Sequence, residues 1–209
     1  AHNLGSVPGM VIIKCTSKTT DWYVQHRSVA GGLVLNTVAA ATVNYGTALD
    51  LNADTLTLRF NGNYALDRTN GPSETYVAYV FAHDAPMFGP DGDESIIKCG
   101  SAGPGTYDPV SGKYYEDIDL GWEPQFVLYK CVDSGRSWEI VDTMRGIAGG
   151  KNSLLRANSS DAEEDTPNGR VEITPTGFVF VPANEKYIYM AIRRPMKPAE
   201  EFEPEELFA

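Results

Sequence analysis

The two halves of this 209-residue chain repeat one another, and that repetition limits the fold more than any other feature. Leu4-Gly5-x-x-Pro8 recurs as Leu120-Gly121-x-x-Pro124, at an offset of 116. At the same offset Val11 matches Val127, Lys14-Cys15 matches Lys130-Cys131, and Trp22 matches Trp138. Gly31-Gly32 matches Gly149-Gly150 at 118, and Tyr76 matches Tyr187 at 111. A drifting offset is what small loop insertions around one shared strand order produce. Two copies are too few for a solenoid, so a duplicated β module is the simplest reading.

The local pattern is that of strands. Long helical periods are missing, and short runs rich in Val, Ile, Leu, Tyr, Phe and Thr alternate with Gly, Pro, Asn and Asp clusters. Strands are expected near 9–16, 21–27, 32–38, 55–61, 74–83, 95–99, 125–132, 137–142, 152–158, 170–174, 177–182 and 186–194, with one short helix near Asp161–Asp165. Val11, Ile13 and Cys15 share one strand face, and Met10 and Ile12 the other. Both faces are apolar, so this strand and its counterpart around Val127 belong in the middle of packed sheets. Trp22 and Trp138 are read as core anchors rather than exposed sugar platforms. The expected fold class is an all-β antiparallel β-sandwich, jelly-roll or concanavalin-like, built from two related copies. Residues 1–83 form the first copy, 84–119 a connecting segment and 120–196 the second copy, together one sandwich domain. Residues 197–209 form an acidic extended tail or linker.

Composition narrows the class of function. Hydrophobic residues make up 42% and charged residues 22%, which suits a folded chain with a real core. No apolar run is long enough for a membrane-spanning helix. No leader is legible, and the absence of an initial Met reads as processing or as a piece of a longer chain. The net charge of −11 repels nucleic acid and anionic membranes, so neither is an expected partner. Three cysteines without CxxC spacing indicate neither a zinc site nor a disulfide framework. Cys15, Cys99 and Cys131 are expected as free buried thiols; the rival is a Cys15–Cys131 bridge across a pseudo-twofold axis.

The motifs of catalysis are missing. His2, His26 and His83 fall in no metal-ligand spacing, and GxSxG, GxGxxG and the P-loop are absent. Gly100-Ser-Ala-Gly-Pro-Gly105 is rich in glycine but has no following Lys in register, so a turn is expected there and not a phosphate cradle. Carboxylates are plentiful, but no spacing singles out a glycosidase pair. Asp161, Glu163, Glu164 and Asp165 fail the EF-hand pattern, as does the loop of Asp91, Asp93 and Glu94; solvated turns are the plainer reading of both. Asn158-Ser-Ser160 fits a glycosylation sequon, relevant only in a eukaryotic secretory host. Tyr107, Tyr114 and Tyr115 form an aromatic stretch suited to recognition or to capping a sandwich edge. No catalytic residue, cofactor ligand or metal ligand is assigned.

Several words of the sequence are distinctive in their order. They are Gly9-Met-Val-Ile-Ile-Lys14, Tyr76-Val-Ala-Tyr-Val-Phe-Ala82, Trp138-Glu-Ile-Val-Asp-Thr-Met-Arg-Gly146, Leu154-Leu-Arg-Ala-Asn-Ser-Ser-Asp-Ala-Glu163, Thr174-Pro-Thr-Gly-Phe178 and Tyr187-Ile-Tyr-Met-Ala-Ile-Arg-Arg-Pro195. From about Leu4 to Met196 the chain resembles tail-fibre and related virion structural proteins of marine tailed bacteriophages, cyanophages especially. The resemblance implies a non-enzymatic virion module: a tail-fibre, spike or surface-decorating domain in an extracellular particle. It would act by assembly with other virion chains, in a homo-oligomer such as a trimer, and by attachment to a host surface. It defines no catalytic residues. The runner-up is a lectin-like carbohydrate-binding sandwich with a host-surface glycan as ligand, and the third reading is a polysaccharide-degrading enzyme. The tail, 197–209, holds five Glu and two Pro beside Phe202, Leu207 and Phe208. It is expected to leave the sandwich after Met196 and dock those apolar side chains on a neighbouring domain or subunit.

Overall fold

Where strand-forming runs are broken this often by turn residues, an antiparallel fold with many short connections results. The computed structural model describes residues 1–42, 49–58, 69–148, 151–166 and 169–193, and within them the chain is all-β. The first strands are β1 (Pro8–Cys15), β2 (Tyr23–His26), β3 (Leu33–Val34), β4 (Leu49–Leu51), β5 (Leu56–Leu58) and β6 (Tyr76–Ala82). Then come β7 (Ile97–Ala102), β8 (Thr106–Asp108), β9 (Lys113–Asp119), β10 (Pro124–Cys131) and β11 (Trp138–Asp142). The remaining described strands are β12 (Ile147–Ala148), β13 (Lys151–Arg156), β14 (Glu164–Thr166), β15 (Val171–Thr174), β16 (Gly177–Phe180) and β17 (Tyr187–Arg193).

Two main sheets dominate. One has the order β3-β2-β1-β6; the other runs β12-β13-β11-β10-β17-β7, with β14 added on β13. All their described strand pairs are antiparallel. The alternation within β1 and β10 explains the layering, because successive side chains point to opposite faces. Met10 and Ile12 of β1 meet Leu128 of β10 and Ile188 and Met190 of β17 in a shared core between the main sheets, with Trp138 in it. Val11 and Ile13 point the other way and are covered by Leu49, Leu51, Leu56 and Leu58 of the β4–β5 hairpin. Val127, Tyr129 and Cys131 likewise face outward, onto Phe178 and Phe180 of a smaller sheet ordered β15-β16-β9-β8. The packed antiparallel sheets are consistent with a β-sandwich, and each main sheet carries a further layer on its outer face. Each large apolar side chain so enclosed contributes about 1.5–3 kcal/mol.

Two glycines show how closely the layers approach. A Cβ on Gly177, in the Thr-Pro-Thr-Gly-Phe word, would lie 1.9 Å from the Ile118 carbonyl oxygen, so only glycine lets β16 pair with β9 there. A Cβ on Gly9 would lie 2.7 Å from Cys99, where the first main sheet passes the end of β7.

Several expectations need correction. The helix expected over Asp161–Asp165 does not form: 161–163 is irregular and Glu164–Thr166 is strand β14. Partners on the neighbouring strands decide this, with Arg156 pairing Glu164 and the Ser153 hydroxyl donating to Asp165. The segment 84–119 is more than a connection. Its β7 pairs with β17 and its β9 with β16, so it completes two sheets. Five strands were not expected as such: β4, β8, β9, β12 and β14. β9 reads Lys-Tyr-Tyr-Glu-Asp-Ile-Asp, and its charges mask a strand that buries Ile118. Trp138 is buried as expected, whereas Trp22 is only half-buried: it stacks on Tyr79 and lies beneath the Lys14 ammonium. The expected tail (197–209) and the Gly149-Gly150 pair lie outside the described residues.

Candidate functional site

Buried ionisable groups are the first place to look for chemistry, because burial moves their proton affinity. His26 is buried between the main sheets, where Nδ1 accepts the Ser28 amide at 3.2 Å and Nε2 donates to the Tyr189 carbonyl at 3.1 Å. Burial pushes its pKa down to about 4. His83 accepts the Cys99 amide through Nδ1 at 3.1 Å and is also pulled down by burial. Lys130 is fully buried; its ammonium donates to the Cys131 and Val38 carbonyls at 2.9 and 3.2 Å, and burial lowers its pKa to about 8. These groups bond backbone carbonyls and amides across strands and tie the layers together.

The thiols are free and buried. Cys99 is pushed up to about 12 by burial, away from nucleophilic character. Cys15 sits beside Ser17, whose hydroxyl donates to Glu74; against the upward pull of burial, hydrogen bonding from Ser17 and neighbouring amides holds this thiol below its ordinary value. Cys131 lies 3.3 Å from Ser134, whose hydroxyl donates to Glu185 at 2.7 Å; Arg136 grips the same carboxylate at 2.6 Å. The Ser134 hydroxyl, then Arg136, hold Glu185 below the usual carboxylate range. Each cluster closes the loop after a long central strand. We expect Glu185→Gln, which weakens the Arg136 and Ser134 bonds, to lower unfolding stability by about 1 kcal/mol in urea titration. An unchanged midpoint would exclude this role.

Glu163 and Glu164 pair with Arg145 and Arg156, and Glu94 pairs with Arg193. Among the described residues no cluster of three or more His, Cys, Asp or Glu is arranged to hold a metal ion. Asn158 of the sequon accepts the Trp138 amide at 2.7 Å and donates to Ser137, so its side chain stitches β11 to the loop after β13. In the Gly-rich stretch, residues to Ala102 belong to β7, and Gly103-Pro104-Gly105 is an irregular bend with both glycines at positive φ. The Gly103 amide, which would have to face a phosphate, donates instead to the Glu116 carboxylate.

What remains is aromatic and exposed. β8 and β9 form a hairpin in which Tyr107 faces Tyr114 and Thr106 faces Tyr115. The Tyr107 and Tyr114 rings lie 5.1 Å apart, and Tyr107 is 53% exposed. A cleft of about 480 Å³ lies along one side of the hairpin, lined by Gly103, Gly105, Thr106, Tyr115, Glu116 and Asp117. A second, of about 410 Å³, is lined by Lys113, Tyr114 and Arg170 with Val181. One cleft is acidic and the other basic. Arg170 is held by the Val181 carbonyl at 2.9 Å and lies 5.5 Å from the Tyr187 ring centre, which fixes its guanidinium. Flat rings beside fixed polar donors suit stacking on a sugar ring or an apolar peptide. The tyrosines were legible in the sequence; Arg170 was not, since it reaches the hairpin from a segment distant in sequence, and nothing local marked Glu116 of β9 as a cleft residue.

No curated protein and no solved structure matches the chain. A family model matches residues 1–194, and the chain thus belongs to the family described as Domain of unknown function (DUF7483).

Proposed function

We propose that this protein is a non-enzymatic virion structural module of a tailed bacteriophage, a tail-fibre, spike or surface-decorating domain acting by protein–protein assembly in an extracellular particle. The observation that carries the reading is where the words behind the resemblance fall. Gly9–Lys14 lies on β1, Tyr76–Ala82 is β6, Trp138–Asp142 is β11, and Thr174–Phe178 is the turn that closes β15 on β16. Tyr187–Arg193 is β17. These are framework positions, so what the chain has in common with such proteins is a scaffold and its packing. In our reading it engages other copies and other virion chains, without a cofactor, nucleic acid or membrane insertion.

Two related copies make up this scaffold in our proposal, a sandwich of jelly-roll or concanavalin kind in which each copy supplies most of one main sheet and β7 of the segment between them completes the second. Support comes from register. Ile13 faces Tyr23 and Ala78; Tyr129, 116 residues on, faces Glu139 and Tyr189, which stand at 116 and 111 from those partners. Both long strands slip register after their leading proline, between Pro8/Met10 and between Pro124/Phe126. Asn36 accepts the Trp22 amide at 2.9 Å as Asn158 accepts that of Trp138.

Immunogold electron microscopy of the phage particle, with antibody raised against this chain, tests the reading. Label on the tail or particle surface is expected. A chain found in the infected-cell lysate and missing from purified particles overturns it. The lectin-like alternative is favoured by one feature, the pair of exposed Tyr107 and half-buried Tyr114 beside the Arg170 cleft. If glycan attachment is part of the role, replacing both tyrosines by alanine should abolish retention on a glycan array while thermal stability changes little, because neither ring belongs to the packed cores. Unchanged retention would exclude this hairpin as the binding surface.

A further inference from the structure

In a chain with 28 Asp and Glu against 17 Lys and Arg, an arginine ordinarily finds a carboxylate. Arg136 pairs with Glu185, Arg145 with Asp142, Arg156 with Glu164 and Arg193 with Glu94. Arg170 differs. It is half-buried, yet among the described residues it forms no ion pair with a carboxylate; Arg27, which shares that lack, stands exposed. Arg170 is also held in place. Its Nη1 donates to the Val181 carbonyl at 2.9 Å, and its guanidinium lies 5.5 Å from the Tyr187 ring centre. Its own carbonyl accepts the Val181 amide at 2.9 Å, beside the Val171–Phe180 pair that joins β15 to β16. A guanidinium has further N–H donors in a planar fork beyond the one given to Val181. A cation partly withdrawn from water without a counter-charge gains most from an anion supplied from outside, and a side chain already fixed loses little freedom in taking it.

We infer that the Arg170 cleft binds an acidic sugar, with its carboxylate or sulfate on the guanidinium and its ring against Tyr114 and Tyr107. This rests on the glycan-attachment reading above and names the class of glycan. Lys113 adds a second positive charge to the wall of the same cleft, and Tyr114 and Val181 supply its apolar part. Tyr107, packed on Tyr114, extends the aromatic surface outward. A body at −11 repels anions at long range, so a fixed donor acting at contact is what can retain one here. The volume, about 410 Å³, is that of a small-ligand site, whereas an extended acidic peptide takes a longer groove or a backbone ladder.

A glycan array carrying oligogalacturonates, their neutral methyl esters and sulfated galactose oligomers, read with the full chain, tests this, with calorimetric titration of trigalacturonate and its ester. We expect the acid to bind at least about tenfold more tightly than the ester, and Arg170→Gln to bring the two to one affinity. Arg170→Lys keeps the charge without the fork and should lose most of the preference. Thermal melts report that both variants fold. Retention of the sulfated oligomers in place of the galacturonates supports the inference and identifies sulfate as the anionic group. Equal binding of acid and ester, or a preference that both Arg170 variants keep, overturns the inference and leaves glycan attachment standing. No retention of any glycan overturns both. Each of these results leaves the particle-labelling test untouched, so failure of this cleft is distinguishable from failure of the virion role.

Discussion

Replacing Trp138 by alanine should lower the unfolding free energy by about 3–5 kcal/mol, the range for emptying a large aromatic site in a core. Trp22→Ala, at the matching position of the first half, should cost only about 1–2 kcal/mol. Trp138 is buried in the core between the main sheets, and its indole Nε1 donates to the Val34 carbonyl at 2.9 Å. The substitution therefore empties a cavity and also leaves a buried carbonyl unsatisfied, on a strand of the other main sheet. Trp22 is half-buried against Tyr79 and Lys14, so solvent and neighbours close over its loss. Denaturant titrations of the two variants beside the parent check this. Equal losses would mean that both tryptophans serve one central core.

Acid should weaken the junction between the main sheets at a pH well above that of ordinary carboxylate titration. His26 is neutral where it lies, with a folded pKa of about 4 against about 6.5 in an unfolded chain. Between these values the unfolded state binds the proton and the folded state does not. The stability that His26 contributes is thus fully present above about pH 6.5 and is lost as pH falls toward 4, by about 3 kcal/mol in total. His83, also lowered, adds in the same direction. His26→Gln retains a donor for the Tyr189 carbonyl but cannot titrate. Its stability should fall much less between pH 6.5 and 4.5, leaving only the His83 part in that window. A parent and variant with parallel pH profiles would show that protonation at this junction is not what acid acts on.

These residues also mark how far the sequence could be read. The alternation in Gly9–Lys14, apolar on both faces, was enough to place this strand in the middle of packed layers, and Val11 and Met10 do face two different cores. The order of strands was legible where Val, Ile, Tyr and Phe recur at intervals of two. It failed at β9 and β14, whose acidic residues look like loop or helix until Arg156 and Ser153 are brought beside them. Among site residues, Tyr107 and Tyr114 could be named because exposed aromatics on a turn-rich stretch are a local signal. Arg170 could not, since the cleft it lines joins the hairpin to a segment far along the chain, and Glu116 could not, since only the folded turn brings the Gly103 amide to its carboxylate.

Local chemistry by itself thus determined the class of fold, the middle position of its long strands and the acidic surface, because side-chain alternation and net charge need no knowledge of partners. Tertiary structure decided which repeated residue took which role. Trp22 and Trp138 stand at matching positions, yet only Trp138 sits wholly in the core between the main sheets. β6 and β17 pair alike with their long strands, yet only β17 gains β7. The reason is physical: a sequence period specifies which way a side chain points, while burial and a second strand partner depend on what the rest of the chain brings to that face or edge.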